Sequence, residues 1–146
     1  MKTIKLCIAV YALFAFVFLT STAAQTNVTI DVKPTSINPL KNGLITVAII
    51  TDNAFDATTV DPLTVLFGPD EATEKHGRGH IEDANNDDLD DLVLHFKTKK
   101  TGIECGDSLV VLEGETFDGE MIEGEQNIIT VGKACRKINR GRRNKQ

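Results

Sequence analysis

The sequence predicts an all-β domain, a two-sheet antiparallel β-sandwich of immunoglobulin-like or jelly-roll-like type with one acidic metal-binding loop. Three observations predict it. Seven or eight short apolar runs recur, long enough for strands and too short for ordinary helices. Turn residues punctuate them, as in Thr101-Gly102, Cys105-Gly106-Asp107 and Asp118-Gly119. Beyond residue 24 no convincing amphipathic helical period is present. With 146 residues, 41% hydrophobic and 25% charged, the chain has room for one ordinary domain, which excludes a multidomain enzyme.

Taken in order, residues 1–24 read as an export signal. Lys2 and Lys5 precede an apolar stretch from Leu6 to Leu19, and Thr20-Ser21-Thr22-Ala23-Ala24 supplies small residues for cleavage after Ala24. That stretch falls short of the roughly 20 residues a membrane-crossing helix needs, so a retained anchor is the competing reading and the exported chain is expected to have none. Val28, Ile30 and Val32 alternate with polar residues, which places one apolar strand face inward. Leu44 to Ile50 is nearly all apolar and rich in β-branched residues, suiting a central strand covered on both faces. Ala54 to Val60 suits a helical turn. Leu63 to Phe67, Leu92 to Phe96, Ser108 to Glu113, Glu120 to Ile122 and Ile128 to Val131 complete the strands, giving a sandwich domain over 25–132 and a basic tail over 133–146.

Export decides the cysteine chemistry. Cys7 leaves with the signal, and Cys105 and Cys135 remain for a compartment where disulfides persist, so they are expected to pair. Neither has a Cys or His neighbour at zinc spacing. Export also changes the charge. Of 16 basic residues, Lys2 and Lys5 are lost, so 14 stand against 21 acids and the exported chain carries −7. Seven of the 14 lie from Lys133 onward with no acid among them, which leaves Gln25–Gly132 at −14. Arg136, Lys137, Arg140, Arg142, Arg143 and Lys145 therefore form a candidate site for an anionic polymer, acting by counterion release; the competing reading is a solvated tail lying against its own acidic body. No aromatic residue accompanies them to stack on bases. Asn27-Val28-Thr29 is a glycosylation sequon for a eukaryotic secretory route.

The most concentrated chemistry is Glu82-Asp83-Ala84-Asn85-Asn86-Asp87-Asp88-Leu89-Asp90-Asp91, six carboxylates in ten residues immediately before a strand. Crowded anions repel, and a hard divalent cation with six to eight oxygen ligands removes that repulsion. Asp83, Asn85 and Asp87 fall at loop positions 1, 3 and 5, the Leu89 carbonyl at 7 and Asp91 at 9, the spacing of a short Ca²⁺ loop, D-x-[DN]-x-D-x-x-x-D. It is not a full EF-hand: position 12 is Leu94 and position 6 is Asp88, where Glu and Gly belong. A solvated acidic turn holding no ion is the competing reading.

Ile30-Asp31-Val32-Lys33-Pro34, Ile37-Asn38-Pro39, Gly43 with Val47-Ala48-Ile49-Ile50, Phe67-Gly68-Pro69, His80-Ile81-Glu82-Asp83, Asp90 to Phe96, Thr101 to Asp107 and Thr116-Phe117-Asp118-Gly119 occur in an order similar to an extracellular module of bacteria and archaea. That module reads E-D-V-N-G-D-G-x-D-D-L-V-x-H-F at the loop, and the resemblance spans nearly all of Ile30 to Val131. It implies a secreted β-sandwich with a calcium loop like those of FG-GAP and VCBS repeats, and no established activity. Asn86 and Asp88 stand where the module has glycines.

Catalytic patterns are sparse. There is no G-x-S-x-G, no H-E-x-x-H and no phosphate-cradling glycine loop. His76, His80 and His95, with Glu74 and Glu82, are the candidates for a metal-dependent hydrolase, although Gly77 and Gly79 argue for a loop rather than a helix that would align His76 with His80. His95 alternates with Leu94 and Phe96, where a hydrogen-bonded structural histidine is the common outcome. The expected function is thus a secreted, non-catalytic calcium-binding module in adhesion, surface attachment or matrix assembly, its partner an extracellular polysaccharide, a surface or another secreted protein. The alternatives are a secreted hydrolase using His76 and His80, or an anionic-polymer binder acting through the tail.

Overall fold

A computed structural model describes residues 25–133 and 135–136. The export signal, Cys7 and the tail residues Lys137, Arg140, Arg142, Arg143 and Lys145 lie outside the described residues. Strands make up 42% of what is described and helix 8%, so the class is all-β, with mainly antiparallel sheets compatible with a β-sandwich. Among the described residues no helix is long and apolar enough to cross a membrane.

Among the described residues eleven strands follow in chain order: β1 (Gln25–Asn27), β2 (Ile30–Lys33), β3 (Ser36–Ile37), β4 (Leu44–Ile49), β5 (Leu66–Phe67), β6 (Ala72–Thr73), β7 (His80–Glu82), β8 (Asp91–Lys97), β9 (Leu109–Glu115), β10 (Met121–Asn127) and β11 (Ile129–Thr130). One sheet has the order β1-β10-β9-β5-β6, a second β2-β4-β8-β7, and β11 pairs with β3 apart from both. β1 pairs with β10 and β11 with β3 in parallel.

The apolar alternation sets the core. Ile30 and Val32 of β2, Ile45, Val47 and Ile49 of β4, and Leu92, Leu94 and Phe96 of β8 join one cluster with Phe67, Val110, Leu112 and Ile122 from the other sheet. The rings of Phe67 and Phe96 meet across it with centroids 5.0 Å apart. The sheets also touch along the edge where β2 runs past β10. Val28 donates its N–H to the Glu123 carbonyl at 2.8 Å, and Val32 donates to Gln126 Oε1 at 2.7 Å. Gly124 permits this approach, since a Cβ there would stand 2.5 Å from Ile30 Cγ2.

Several expectations are corrected in detail. The apolar run at Leu63 is strand only over Leu66–Phe67, because Asp61 forms a turn: its carbonyl accepts the Thr64 N–H and its side chain accepts the Leu63 N–H. β10 runs on from Ile122 to Asn127, held residue for residue against β9. β4 is central, between β2 and β8, but only its inner face is fully covered: Leu44 is exposed and Thr46 half-buried. The helical turn is narrower than 54–60, a 3-10 turn over Ala57–Thr59 capped by Asp56.

Cys105 and Cys135 are joined in a disulfide. Cys135 is buried, and the bridge fixes the segment after β11 to the turn before β9. Gly106 reinforces the attachment by donating its N–H to Thr130 Oγ1 at 2.8 Å.

Candidate functional site

The acidic segment 83–90 is the loop of the β7–β8 hairpin, closed at its base by the Glu82–Asp91 pair. Its carboxylates are organised by backbone amides. Asp83 Oδ1 accepts the N–H groups of Asn86 at 2.6 Å and Asp87 at 3.1 Å, while Oδ2 accepts that of Asp88 at 3.0 Å. Partial desolvation pushes the Asp83 carboxyl up, but the amides of Asp88, Asp87, Asn86 and Asn85 outweigh it and hold the group below the usual 3.8. Asn85 Oδ1 accepts the Asp87 N–H, and Asn85 Nδ2 donates to Asp87 Oδ2 at 2.8 Å. Asp87 Oδ1 accepts the Leu89 N–H at 2.9 Å.

Such a curl needs two residues in the left-handed region. Asn86 and Asp88 take it, with φ of 65° and 66°. Asn and Asp are the side chains that tolerate this region best, because their short polar groups bond locally.

Asp91 is the keystone of the loop. It is fully buried, its Oδ1 accepts the Thr51 N–H at 2.8 Å and its Oδ2 accepts the Ala84 N–H at 2.9 Å. Thr51 adds a bond from its hydroxyl to the Asp90 carbonyl at 2.6 Å and accepts the Ala57 N–H at 3.0 Å. The acidic loop is thereby tied to the end of β4 and to the 3-10 turn. Sequence reasoning missed Thr51, and no local signal marks it because its partner lies 40 residues away.

The residues assigned to a cation divide accordingly. Asp83, Asn85 and Asp87 share the exposed loop, as does Leu89, whereas Asp91 is buried beneath it. All their candidate ligand atoms are oxygens, the chemistry a hard cation prefers; Asp83 Oδ2, Asp87 Oδ1 and both Asp91 oxygens each accept one N–H, whereas Asp83 Oδ1 accepts two. As they stand the carboxylates turn toward amides, and among the described residues no three His, Cys, Asp or Glu side chains are placed to hold one ion.

A second cluster lies at the other end of β7. Glu74 is buried, and its carboxylate accepts the N–H of His76, that of Arg78 at 3.2 Å and that of His95 at 3.3 Å. Burial pushes its carboxyl up, yet the Arg78, His76 and His95 amides and the neighbouring His76 ring together hold it below the usual 4.5. The Lys75 N–H donates to the His95 carbonyl at 2.8 Å, so this segment runs alongside β8 past the end of β7. Gly79 makes the close crossing possible, since any Cβ there would collide with Leu92. The His76 and His80 rings stand edge-on to His95, with centroids 6.3 and 5.6 Å away. The expected hydrogen-bonded His95 is corrected in part: its Nδ1 is buried with no partner among the described residues. Glu74 is the residue that sequence reading undervalued; its signal is an acid two residues before His76, ahead of Gly77 and Gly79, placed to collect the amides of the turn that follows.

Of the tail, Arg136 is exposed and donates its N–H to the Gly132 carbonyl at 3.1 Å. No protein family, curated protein or solved structure matches the chain.

Proposed function

We propose that the protein is an exported, non-catalytic β-sandwich module, immunoglobulin-like or jelly-roll-like, whose β7–β8 loop takes calcium to rigidify an extracellular fold used in adhesion, surface attachment or matrix assembly. The observation that supports the reading is the left-handed backbone at Asn86 and Asp88, which curls the loop around the Asp83 carboxylate and brings Asn85 and Asp87 side by side. Asp83, Asn85, Asp87, the Leu89 carbonyl and Asp91 would hold the ion. Asn85 and Asp87 would reach it from exposed positions once their mutual bond opens, and Asp91 would serve from beneath. The ion's contribution is charge neutralisation, without any chemical step. The Cys105–Cys135 bridge accords with an oxidising compartment.

Calorimetric titration of Ca²⁺, with Asp87→Ala alongside, tests the reading. Free calcium at a hundredfold excess over its dissociation constant stabilises by about 2.7 kcal/mol, which raises the melting temperature by about 12 °C for a domain near this size. Asp87→Ala is expected to abolish both the heat and the shift. Identical melts with calcium and with chelator, at matched ionic strength, refute the proposal.

A further inference from the structure

Apart from the acidic loop, we propose that His76, His80 and His95 form a binding site for a divalent transition-metal ion of zinc type, which staples the segment after β6 to β8. Imidazole nitrogen is a ligand for such ions and a poor one for calcium. With Zn–N bonds of about 2.0 Å and centroids about 1.1 Å beyond each nitrogen, two imidazoles at a tetrahedral angle lie roughly 5 Å apart. His80 and His76 approach His95 at 5.6 and 6.3 Å, both nearly perpendicular to it.

The surroundings favour the same occupant. His95 is held on a central strand of its sheet, its N–H bonded to Glu74, so it is the fixed member of the set. Its buried Nδ1 has no partner among the described residues, and a buried polar nitrogen without a partner is destabilising. His76 and His80 are exposed, one in a turn with Gly77 at φ +64° and the other on the edge strand β7. As they stand the three rings do not converge on one point, and the site requires the exposed His76 and His80 side chains to change rotamer. The Glu74 carboxylate, whose oxygens hold the backbone on either side, keeps both segments in place for that rotation and adds a negative charge that favours a cation.

Zinc titration of the full chain, carrying no affinity tag of histidines, tests the proposal by calorimetry and by the imidazole C–H resonances. The expected result is one saturable site, with affinity falling at least about tenfold in His80→Ala and again in His76→Ala. Both positions are exposed, so the fold is retained, and circular dichroism checks this. The three histidines are expected to shift together, and Asp87→Ala is expected to leave zinc binding intact. Absence of saturation up to about 1 mM zinc, or binding undiminished by both histidine substitutions, overturns the proposal. Binding lost in Asp87→Ala instead assigns the zinc to the acidic loop and overturns it equally.

Discussion

Asp91→Ala separates what the acidic loop does for the fold from what it does for an ion. The substitution removes a buried carboxylate that accepts two N–H groups, from Thr51 at 2.8 Å and Ala84 at 2.9 Å. Hydrogen bonds to a charged acceptor contribute about 1.5 to 3 kcal/mol each. Taking the lower bound for two such bonds sets the loss at about 3 kcal/mol. With an unfolding entropy of about 2.1 cal/mol/K per residue over a domain of about 110 residues, the melting temperature falls by about 13 °C. Asp91→Asn is expected to lose roughly half as much, because one amide oxygen can still face one of the two N–H groups while its NH₂ opposes the other. The control is Asp90→Ala: that side chain is exposed, and Thr51 bonds only the backbone carbonyl of the residue, so about 0.5 kcal/mol or less is expected. Urea unfolding followed by circular dichroism, in chelator and then in calcium, gives the comparison. A loss below about 1 kcal/mol in chelator, or a loss equal to that of Asp90→Ala, refutes the assignment of Asp91 as a structural anchor.

Three further outcomes are expected. Replacing Cys105 and Cys135 together by Ser frees a 30-residue separation in the unfolded chain, costing about 3.6 kcal/mol in the loop-entropy account and lowering the melting temperature by about 15 °C; a shift under about 5 °C counts against the bridge as the anchor of the segment after β11. Glu74 has a folded pKa below its usual 4.5, so its stabilisation is fully present above that value and is lost as pH falls through the lower folded value. The stability gap between wild type and Glu74→Gln is therefore expected to stay level from about pH 7 to 5 and to shrink below 4.5, and a gap that widens on acidification contradicts the sign. Asp88 sits at φ 66°, so Asp88→Val is expected to cost about 1 to 2 kcal/mol and Asp88→Gly nothing or a slight gain, measured by urea unfolding in chelator; equal effects of the two exclude the left-handed backbone as the cause.

The strands that were legible in the sequence are those whose large apolar side chains recur at every second position. β2, β8 and β9 read directly from Ile30 and Val32, from Leu92, Leu94 and Phe96, and from Val110 and Leu112, all buried as their period requires. Those that escaped carry no such period. β1 is Gln25-Thr26-Asn27, polar throughout and made a strand only by parallel pairing with β10, about 95 residues on. β7 is exposed at every position and exists because β8 offers it an edge. β3 and β6 are two residues each, set by their neighbours' hydrogen bonds rather than by their own composition.

The candidate site was legible in its residues and not in its electrostatics. Sequence reasoning holds that six crowded carboxylates need a cation, since repulsion is all that a one-dimensional string of acids reveals. Folding supplies another source of positive charge first: the N–H groups of the loop, which close on Asp83 because Asn86 and Asp88 turn left-handed, and those of Thr51 and Ala84, which close on Asp91. Compensation by amides is therefore complete at the two ends of the motif and thinnest at its middle. There Asp87 has one N–H and one side-chain amide, and Asp88 and Asp90 are exposed. On the calcium reading proposed above, affinity would rest on Asp87 and Asn85, whose mutual bond an incoming ion has to replace, whereas the loop's shape depends on Asp83 and Asp91. For that reason the Asp87→Ala and Asp91→Ala phenotypes are expected to separate: the first loses the response to calcium while keeping its stability in chelator, and the second loses stability in either buffer.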